Sequence, residues 1–358
     1  MTEDNYKSAF KGKNIMITGG LGFIGSNLAH ALAPLSPERI VIVDSYLEGH
    51  GANKYNLSGI EDIVEIPSEF SGGIDIRDNK NFSPLLSGID YIFNLAGSIS
   101  HIGSKKDPLK DLQLNLESHV SFLQSCRTYV ESGGKPPKII FGGTRDQYGK
   151  LPESTLPVRE NTLHEDPADP QGIHNQAAEF HHLWYRNFGI QASSLRLTNT
   201  FGPRHPMQNP SQGFLNWFIR LALENKEIEL WGGGEALRDF NYVDDVTEAF
   251  LRTMASDETD GNVYNLGSYI RKSGRVKDMG DNARTVSEAA HAIVEKAGSG
   301  SCRVIPYPED KKAIEPGHFC ADATKIYEEV GWLPRTSFQE GIEKTLGFYK
   351  SERENYNF

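Results

Sequence analysis

The segment that most constrains this chain lies near its start, where residues 15–25 read IMITGGLGFIG. A short apolar run, typical of a buried strand, leads into a glycine-rich turn, and the following residues have the pattern of a helix. This order places the free backbone amides of the helix start where they can bind a pyrophosphate. The glycines allow a tight turn, a close approach of backbone to phosphate, and packing of the helix on the strand. The segment therefore predicts a dinucleotide-binding α/β fold.

A carboxylate follows the second predicted strand. Residues 39–43 read RIVIV, and Asp44 comes directly after them, about 20 residues beyond the last glycine of the turn, as a ribose-binding acid should. A carboxylate there accepts hydrogen bonds from the adenosine ribose and repels a 2′-phosphate, which favours NAD over NADP. The alternative interpretation of Asp44 is a helix cap or a loop residue.

Composition excludes several classes of partner. The 358 residues suit one large domain or two coupled domains. A net charge of −11 argues against nucleic acid, and no apolar stretch approaches the roughly 20 residues of a membrane span. The N-terminal residues lack the apolar core of a signal peptide. Three widely spaced cysteines favour neither a disulfide nor a metal site, so we expect free thiols in the cytoplasm.

Strands and helices alternate through the first half of the chain. We expect strands at 63–66, at 91–97, where an apolar run leads into small residues, at 138–141 and at 192–197. Their alternation with helices predicts a doubly wound parallel sheet of the Rossmann type. Beyond residue 200 the alternation ends. A helix at 214–224 and short strands at 228–231 and 263–266 predict a smaller mixed α/β lobe for the substrate. This divides the chain into an NAD-binding domain at 1–198, whose helices and strands are partly shared with later segments, and a substrate lobe at 199–358. The polar segment 270–282 is either a solvated surface loop or a flap over an anionic ligand.

Ordered motifs run through nearly the whole chain. They read TGGLGFIG at 18–25, DI at 75–76, LAG at 95–97, T followed by YG at 144 and 148–149, RLTNTFGPR at 196–204, LRDFNYVDD at 237–245, ADATK at 321–325 and GWLP at 331–334. Together they resemble the extended short-chain dehydrogenase/reductase superfamily, specifically its NAD-dependent nucleotide-sugar epimerases and dehydratases.

The resemblance implies NAD as the cofactor and a nucleotide-diphosphate sugar as the substrate. The positions it assigns to the cofactor are Gly19, Gly22, Phe23 and Ile24 at the pyrophosphate, Asp44 and Ser45 at the ribose, Asp75 and Ile76 at the adenine, and Leu95 and Ala96 along the middle. The positions it assigns to the substrate are Asn199, Arg204 and Arg238. An arginine gives charge-assisted, bidentate bonds to phosphate oxygens. The alternative for Arg238 is a structural ion pair with Asp239 or Asp244.

The chain departs from the family at its usual proton-transfer pair. Members carry Tyr-x-x-x-Lys at the start of the helix after the catalytic strand. The matching stretch, 169–179, reads DPQGIHNQAAE, with Gln171 in place of the tyrosine and Asn175 in place of the lysine. Neither amide is an acid or base near neutral pH, although both can hydrogen-bond a ribose or a sugar hydroxyl.

Three nearby residues are the candidates to replace the tyrosine. Thr144 matches the family position that hydrogen-bonds the reacting hydroxyl, and Asp146 matches the acid/base position of the dehydratases and decarboxylases. His101 lies on the loop after the cofactor-lining strand, and a histidine is a plausible general base. The alternatives are that Asp146 caps a turn and that His101 is an ordinary loop residue. His174, on the helix with Gln171 and Asn175, is a weaker candidate whose alternative is a position facing solvent.

Three functions are compatible with this sequence. The first is an epimerase or dehydratase that oxidises a nucleotide sugar transiently, so that no net redox change appears. The others are a non-catalytic binding protein for NAD and a nucleotide sugar, and a net dehydrogenase or reductase for another metabolite. By the resemblance we also expect a homodimer through the helices at 109–130 and 176–188, although core packing explains their apolar residues equally well.

Overall fold

Seven parallel strands form the centre of the molecule, as seen in a computed structural model that describes residues 6–67, 73–163, 166–208, 213–272, 275–278, 281–308, 317–356 and 358. Their order is β10-β6-β5-β4-β1-β2-β3. The strands are β1 (Asn14–Thr18), β2 (Arg39–Val43), β3 (Val64–Glu65), β4 (Tyr91–Asn94), β5 (Lys138–Thr144), β6 (Ala192–Leu197) and β10 (Val263–Leu266). The order reverses beside β1, which confirms the predicted doubly wound sheet of the Rossmann type.

Both faces of this sheet are buried under helices. Ile15 and Ile17 of β1 pack into the core on one face and Met16 into the core on the other. A strand covered on both faces is apolar throughout rather than alternating, which explains the sequence pattern. The helices of this half are α1 (Phe23–Leu32), α2 (Asn79–Phe82), α3 (His101–Lys106), α4 (Pro108–Leu112), α5 (Ser118–Glu131) and α6 (Pro170–Trp184). A π-helical segment, Gln113–Glu117, joins α4 to α5.

The later part of the chain forms a smaller lobe with its own core. Its strands are β7 (Asn199–Phe201), β8 (Glu227–Trp231), β9 (Leu237–Tyr242), β13 (Ala283–Thr285) and β14 (Ser301–Ile305). Strands β11 (Tyr269–Lys272) and β12 (Arg275–Asp278) follow β10, and Ile270 of β11 packs in the core of the main sheet. Its helices are α7 (Phe214–Leu223), α9 (Val286–Ala297) and α11 (Phe338–Glu352). The sheets are β13-β9-β7 and the pair β14-β8.

Strand β10 corrects the prediction that residues 263–266 belong to the smaller lobe. It pairs in parallel with β6 at the edge of the main sheet. Helices α8 (Val243–Ala255) and α10 (Thr324–Val330) accompany it, and their buried apolar side chains join the core on one face of that sheet. The reason is burial, because Tyr264 and Leu266 are fully inaccessible to solvent.

The segment at 270–282 contains the antiparallel hairpin of β11 and β12. Arg271 of this hairpin forms an ion pair with Asp322, Nε–Oδ2 2.6 Å. Among the described residues of the hairpin none lines the ligand cleft, so the structure favours the surface interpretation over a flap. No helix in the described ranges is both long and apolar enough to cross a bilayer.

Candidate active site

A cleft of about 1440 Å³ opens at the carboxyl ends of the parallel strands and extends to the smaller lobe. Single small-molecule pockets have volumes of about 300–1,000 Å³, so this cleft has room for two ligands. Its walls include every residue that the sequence assigns to the cofactor. The carboxyl ends of strands beside a point where strand order reverses are where α/β sheets bind ligands.

The glycine turn between β1 and α1 is built for a close approach. Gly19 has a φ of +67°, and a Cβ on it would lie 2.7 Å from the carbonyl oxygen of Leu95. A Cβ on Gly25 would collide with the carbonyl oxygen of Gly19. Gly22 is the N-cap of α1 and has no side chain to occupy the helix end. The turn therefore leaves the first amides of α1 open to the cleft, and it fits a dinucleotide pyrophosphate.

Asp44 connects the end of β2 to this turn. Its carboxylate accepts hydrogen bonds from the backbone N–H of Leu21 at 3.1 Å and of Tyr46 at 3.0 Å. Burial raises the pKa of the Asp44 carboxyl, and the backbone donors partly offset that effect. Ser45 lies beside it on the cleft wall. A ribose would find here a carboxylate whose orientation is already set.

The adenine end of the cleft is bounded by Asp75 and Ile76. Arg77 holds the Asp75 carboxylate in an ion pair of 2.6 Å. Burial raises the pKa of the Asp75 carboxyl, but the Arg77 guanidinium more than offsets this and the net pKa is lowered. Leu95 and Ala96 form the middle wall, where the hydroxyl oxygen of Thr18 accepts from both of their backbone N–H groups at 3.1 and 3.3 Å.

Gln171 and Asn175 lie one turn apart on α6 and line the cleft. The Gln171 amide donates to the carbonyl oxygen of Ser98 at 3.2 Å, and the Asn175 amide donates to the carbonyl oxygen of Gln171 at 2.9 Å. Gln171 is 3 % exposed, and its Oε1 has no partner among the described residues. A buried acceptor without a donor is costly, so this oxygen fits a ligand hydroxyl or amide.

His101 lies between two carboxylates on the same stretch of wall. Its Nδ1 is 2.7 Å from Oδ2 of Asp169, and its Nε2 is 3.5 Å from Oδ2 of Asp146. Burial lowers the pKa of the imidazole, but the Asp146 and Asp169 carboxylates outweigh it, so the net pKa is raised above the ordinary value. Each ring nitrogen thus faces a carboxylate, an arrangement that favours the protonated imidazole.

Asp146 is the second member of this group. Thr144, at the end of β5, donates its hydroxyl to Oδ2 of Asp146 at 2.7 Å. Burial raises the pKa of the Asp146 carboxyl, but the Arg145 guanidinium, His101, the Thr144 hydroxyl and Arg238 together lower it to about 2. Asp146 is therefore a carboxylate at neutral pH. The structure brings together the three residues that the sequence proposes for proton transfer.

Of the three residues that the sequence assigns to the substrate, two line the cleft and one does not. Asn199, on β7, lines the cleft, and its Oδ1 is buried without a partner among the described residues. Arg238, on β9, lines it too and donates to the carbonyl oxygens of Leu237 at 2.8 Å and Gly317 at 2.5 Å. Arg204 is not brought to the cleft. It bonds Oδ1 of Asn27 at 2.9 Å and faces a separate cavity of about 360 Å³, because its positive φ of 68° turns it toward α1.

Several site residues were not found from the sequence. Asp169 forms a hydrogen bond with Nδ1 of His101, and Arg145 lines the cleft beside Asp146. Asn115, in the π-helical segment, bonds both the N–H and the carbonyl of Ser98, at 2.7 and 3.0 Å. His174 does not face open solvent, since its Nδ1 lies 2.6 Å from Oδ1 of the buried Asp111. Asp169 could have been found from the sequence, because an aspartate before a proline, as in Asp169-Pro170, is typical of a helix N-cap.

Comparisons with known proteins agree with this geometry. A family model described as the NAD dependent epimerase/dehydratase family matches residues 15–267. The dTDP-glucose 4,6-dehydratase of Salmonella typhimurium is 28% identical over 355 residues, which cover 94% of this chain and 92% of that protein. A UDP-N-acetyl-alpha-D-glucosaminuronate decarboxylase of Bacillus cytotoxicus is 28% identical over 345 residues, covering 94% and 98%.

A solved structure of a related fold agrees with the family model. The UDP-glucose 4-epimerase of Thermotoga maritima, determined with UDP-glucose, has a TM-score of 0.79 and 27% identity, covering 95% of this chain and 99% of that one. The predictions of a Rossmann-type sheet and of NAD as the cofactor are confirmed at the level of the family.

Proposed function

The chain belongs to the NAD-dependent epimerase/dehydratase family, and we propose that it epimerises or dehydrates a nucleotide-diphosphate sugar with a histidine–aspartate pair in place of tyrosine and lysine. The observation that carries this proposal is the position of His101 between Asp146 and Asp169, on the cleft wall next to Thr144. Bound NAD would accept a hydride from the sugar and return it.

The proton roles follow from the charges of these side chains. Asp146 is ionised, so it cannot donate a proton but can hold the Thr144 hydroxyl and the imidazolium. His101 can donate a proton from Nε2 to a sugar oxygen, and after deprotonation it can accept one there. Its Nδ1–H remains fixed on Asp169. This is general acid–base catalysis by an oriented imidazole, which contributes typically about 10²–10⁴-fold in rate.

The amides of α6 serve binding. Gln171 and Asn175 carry no charge and do not titrate near neutral pH, so they cannot act as the family's phenolate and its lysine. The unpartnered Oε1 of Gln171 fits a hydroxyl of the nicotinamide ribose or of the sugar. Asn199 and Arg238 line the same cleft and would hold the diphosphate.

Asp146→Asn tests the assignment. The amide keeps the size and one acceptor but loses the charge that holds His101 protonated, so we expect turnover to fall by about 10²-fold or more. The protein is mixed with NAD and a panel of nucleotide sugars, while solvent deuterium in the sugar is followed by NMR and NADH by absorbance. Exchange without net NADH supports transient oxidation.

A matched control and two contrary outcomes complete this experiment. Asp62→Asn removes an exposed carboxylate outside the cleft and should leave turnover unchanged. Full turnover in Asp146→Asn would contradict the proposed proton path. Binding without exchange across the whole panel would instead favour a non-catalytic binding protein, and net NADH would favour a dehydrogenase.

We also propose a homodimer in the cytoplasm. Phe180 and Trp184 of α6 are 57% and 52% exposed, so packing within the chain leaves about half of each side chain uncovered. The cysteines Cys126, Cys302 and Cys320 are free thiols, which fits a reducing compartment.

A further inference from the structure

Arg145 is a buried cation at the reacting end of the cleft. It follows Thr144 directly and lines the cleft, and its side chain is 11% exposed. The carboxylate that it contacts among the described residues is that of Asp146, Nη2–Oδ1 3.5 Å. Its guanidinium also lies 5.1 Å from the ring centroid of Phe319.

The donors of this guanidinium are not used within the described part of the chain. A guanidinium has five N–H donors in a planar fork, and none of those of Arg145 makes a hydrogen bond of ordinary geometry with a described residue. Arg196, which is similarly buried, shows the contrast. It donates to both carboxylate oxygens of Glu179, at 2.6 and 3.1 Å, and to the carbonyl oxygen of Glu160 at 3.2 Å.

The charges around Arg145 also favour an anionic group on the ligand. Asp146 already accepts from Thr144 and contacts His101, so it is shared. Arg238 is assigned to the diphosphate, so the Arg145 guanidinium has only the Asp146 carboxylate, 3.5 Å away, as a charged partner among the described residues. Buried charges are stable when they are paired. An anionic group on the ligand would pair with the fork of Arg145.

We propose that Arg145 binds a carboxylate carried by the sugar, so that the substrate class is acidic nucleotide sugars such as nucleotide-linked uronic acids. The inference rests on the proposed function. The planar fork of arginine matches a carboxylate with two parallel hydrogen bonds. Arg145 adjoins the proton-transfer residues Thr144 and Asp146, whereas the diphosphate is assigned to Asn199 and Arg238. The anion at Arg145 therefore belongs to the sugar rather than to the phosphates.

Calorimetry on the NAD-loaded protein tests this with matched ligands: UDP-glucuronate, UDP-glucose and UDP, with the dTDP counterparts in parallel. The wild type should bind the uronate more tightly than the neutral sugar. Arg145→Gln should weaken uronate binding by roughly 10- to 100-fold and leave glucose and free diphosphate ligands nearly unchanged, as expected for one charge-assisted interaction. Arg145→Lys, which keeps the charge without the fork, should lie between them.

Two further variants separate the possible failures. Arg238→Gln should weaken all three ligand types, whereas Arg159→Gln removes an exposed arginine outside the cleft and should change none. NAD affinity and melting temperature report whether each variant is folded. Equal weakening of UDP and UDP-glucuronate by Arg145→Gln would assign the residue to phosphate and overturn the proposal, as would a wild type without preference for the uronate. If no nucleotide or nucleotide sugar binds, the proposed function itself fails.

Discussion

At the scale of single residues, we propose that His101 takes over the proton transfer for which the family uses a tyrosine and a lysine. Asp169 raises the pKa of His101 together with Asp146, against the lowering effect of burial. A group whose pKa is raised stays protonated to higher pH, so the base form of His101 is populated only on the alkaline side of its ordinary value of about 6.5. We expect the oxidative half of the reaction to lose rate as pH falls through this pKa.

Asp169→Asn should move that acid limb to lower pH. The amide can still accept from the Gly172 N–H and cap α6, since asparagine is as good an N-cap as aspartate. The measurements are kcat/KM against pH and an NMR titration of the His101 ring, which does not depend on activity. If Asp169 had only a structural role, Asp169→Asn would lower activity equally at all pH values and would leave the titration of the His101 ring unchanged. That result would contradict the positioning role.

The residues found and missed from the sequence differ in how far apart they lie along the chain. Thr144 ends β5, and Asp146 and His101 lie on the segments that follow β5 and β4, and such strand ends meet at one edge of a parallel sheet. His101 and Asp169 are in contact although they lie 68 residues apart in the chain, and no local sequence pattern predicts such a contact. Arg204 shows the opposite case, because its motif predicts a substrate contact but its backbone conformation turns the side chain toward α1.

At the scale of elements, two buried histidines connect β4 to α5 and α6. Asn94 contacts Nδ1 of His119 at 3.1 Å and donates to Nε2 of His182 at 2.9 Å, while Nδ1 of His182 donates to the Ala178 carbonyl at 2.7 Å. His182 also stacks on Phe141, with ring centroids 4.3 Å apart. Burial lowers the pKa of His182 to about 4 and that of His119 well below its ordinary value. Both rings are therefore neutral in the folded protein.

These histidines should make the fold sensitive to acid. The unfolded chain takes up their protons near pH 6.5, whereas the folded chain does not, so stability is complete above pH 6.5 and falls as pH decreases toward 4. Each histidine contributes a slope approaching about 1.4 kcal/mol per pH unit. His182→Gln should reduce the slope of unfolding free energy between pH 7.5 and 5.5, measured by urea denaturation. The exposed His291→Gln is the control, and an unchanged slope in His182→Gln would contradict the assignment.

The strands themselves were predicted well from the sequence, but the position of a strand in the sheet was not. Residues 39–43 and 192–197 were identified as strands with the bounds that the structure shows, and both strands are almost fully buried. Strand β10 is buried in the same way but follows the smaller lobe along the chain, so its return to β6 was missed. Pairing between segments so far apart depends on tertiary packing, which periodicity does not encode.

At the scale of the whole molecule, one apolar surface is uncovered. Ile173, Phe180 and Trp184 are spaced by seven and four residues, so they lie on one face of α6, and they are 47%, 57% and 52% exposed. Leu109 of the adjacent α4 is 73% exposed. Contiguous apolar surface of this kind is typical of interfaces. We expect a second copy of the chain to cover it in a symmetric dimer, where each side chain is buried twice.

Phe180→Asp should therefore separate the subunits. Burying one such side chain contributes about 1.5–3 kcal/mol, and a two-fold axis doubles the loss, so the affinity of the dimer should fall by at least about 100-fold. Sedimentation or light scattering measures the mass at micromolar concentrations, and NAD binding confirms that the variant is folded. Val304→Asp is the matched control, since Val304 is 65% exposed on β14, away from this face, and its protein should remain dimeric. A monomeric wild type would contradict the dimer, and an unchanged mass in Phe180→Asp would place the interface on another surface.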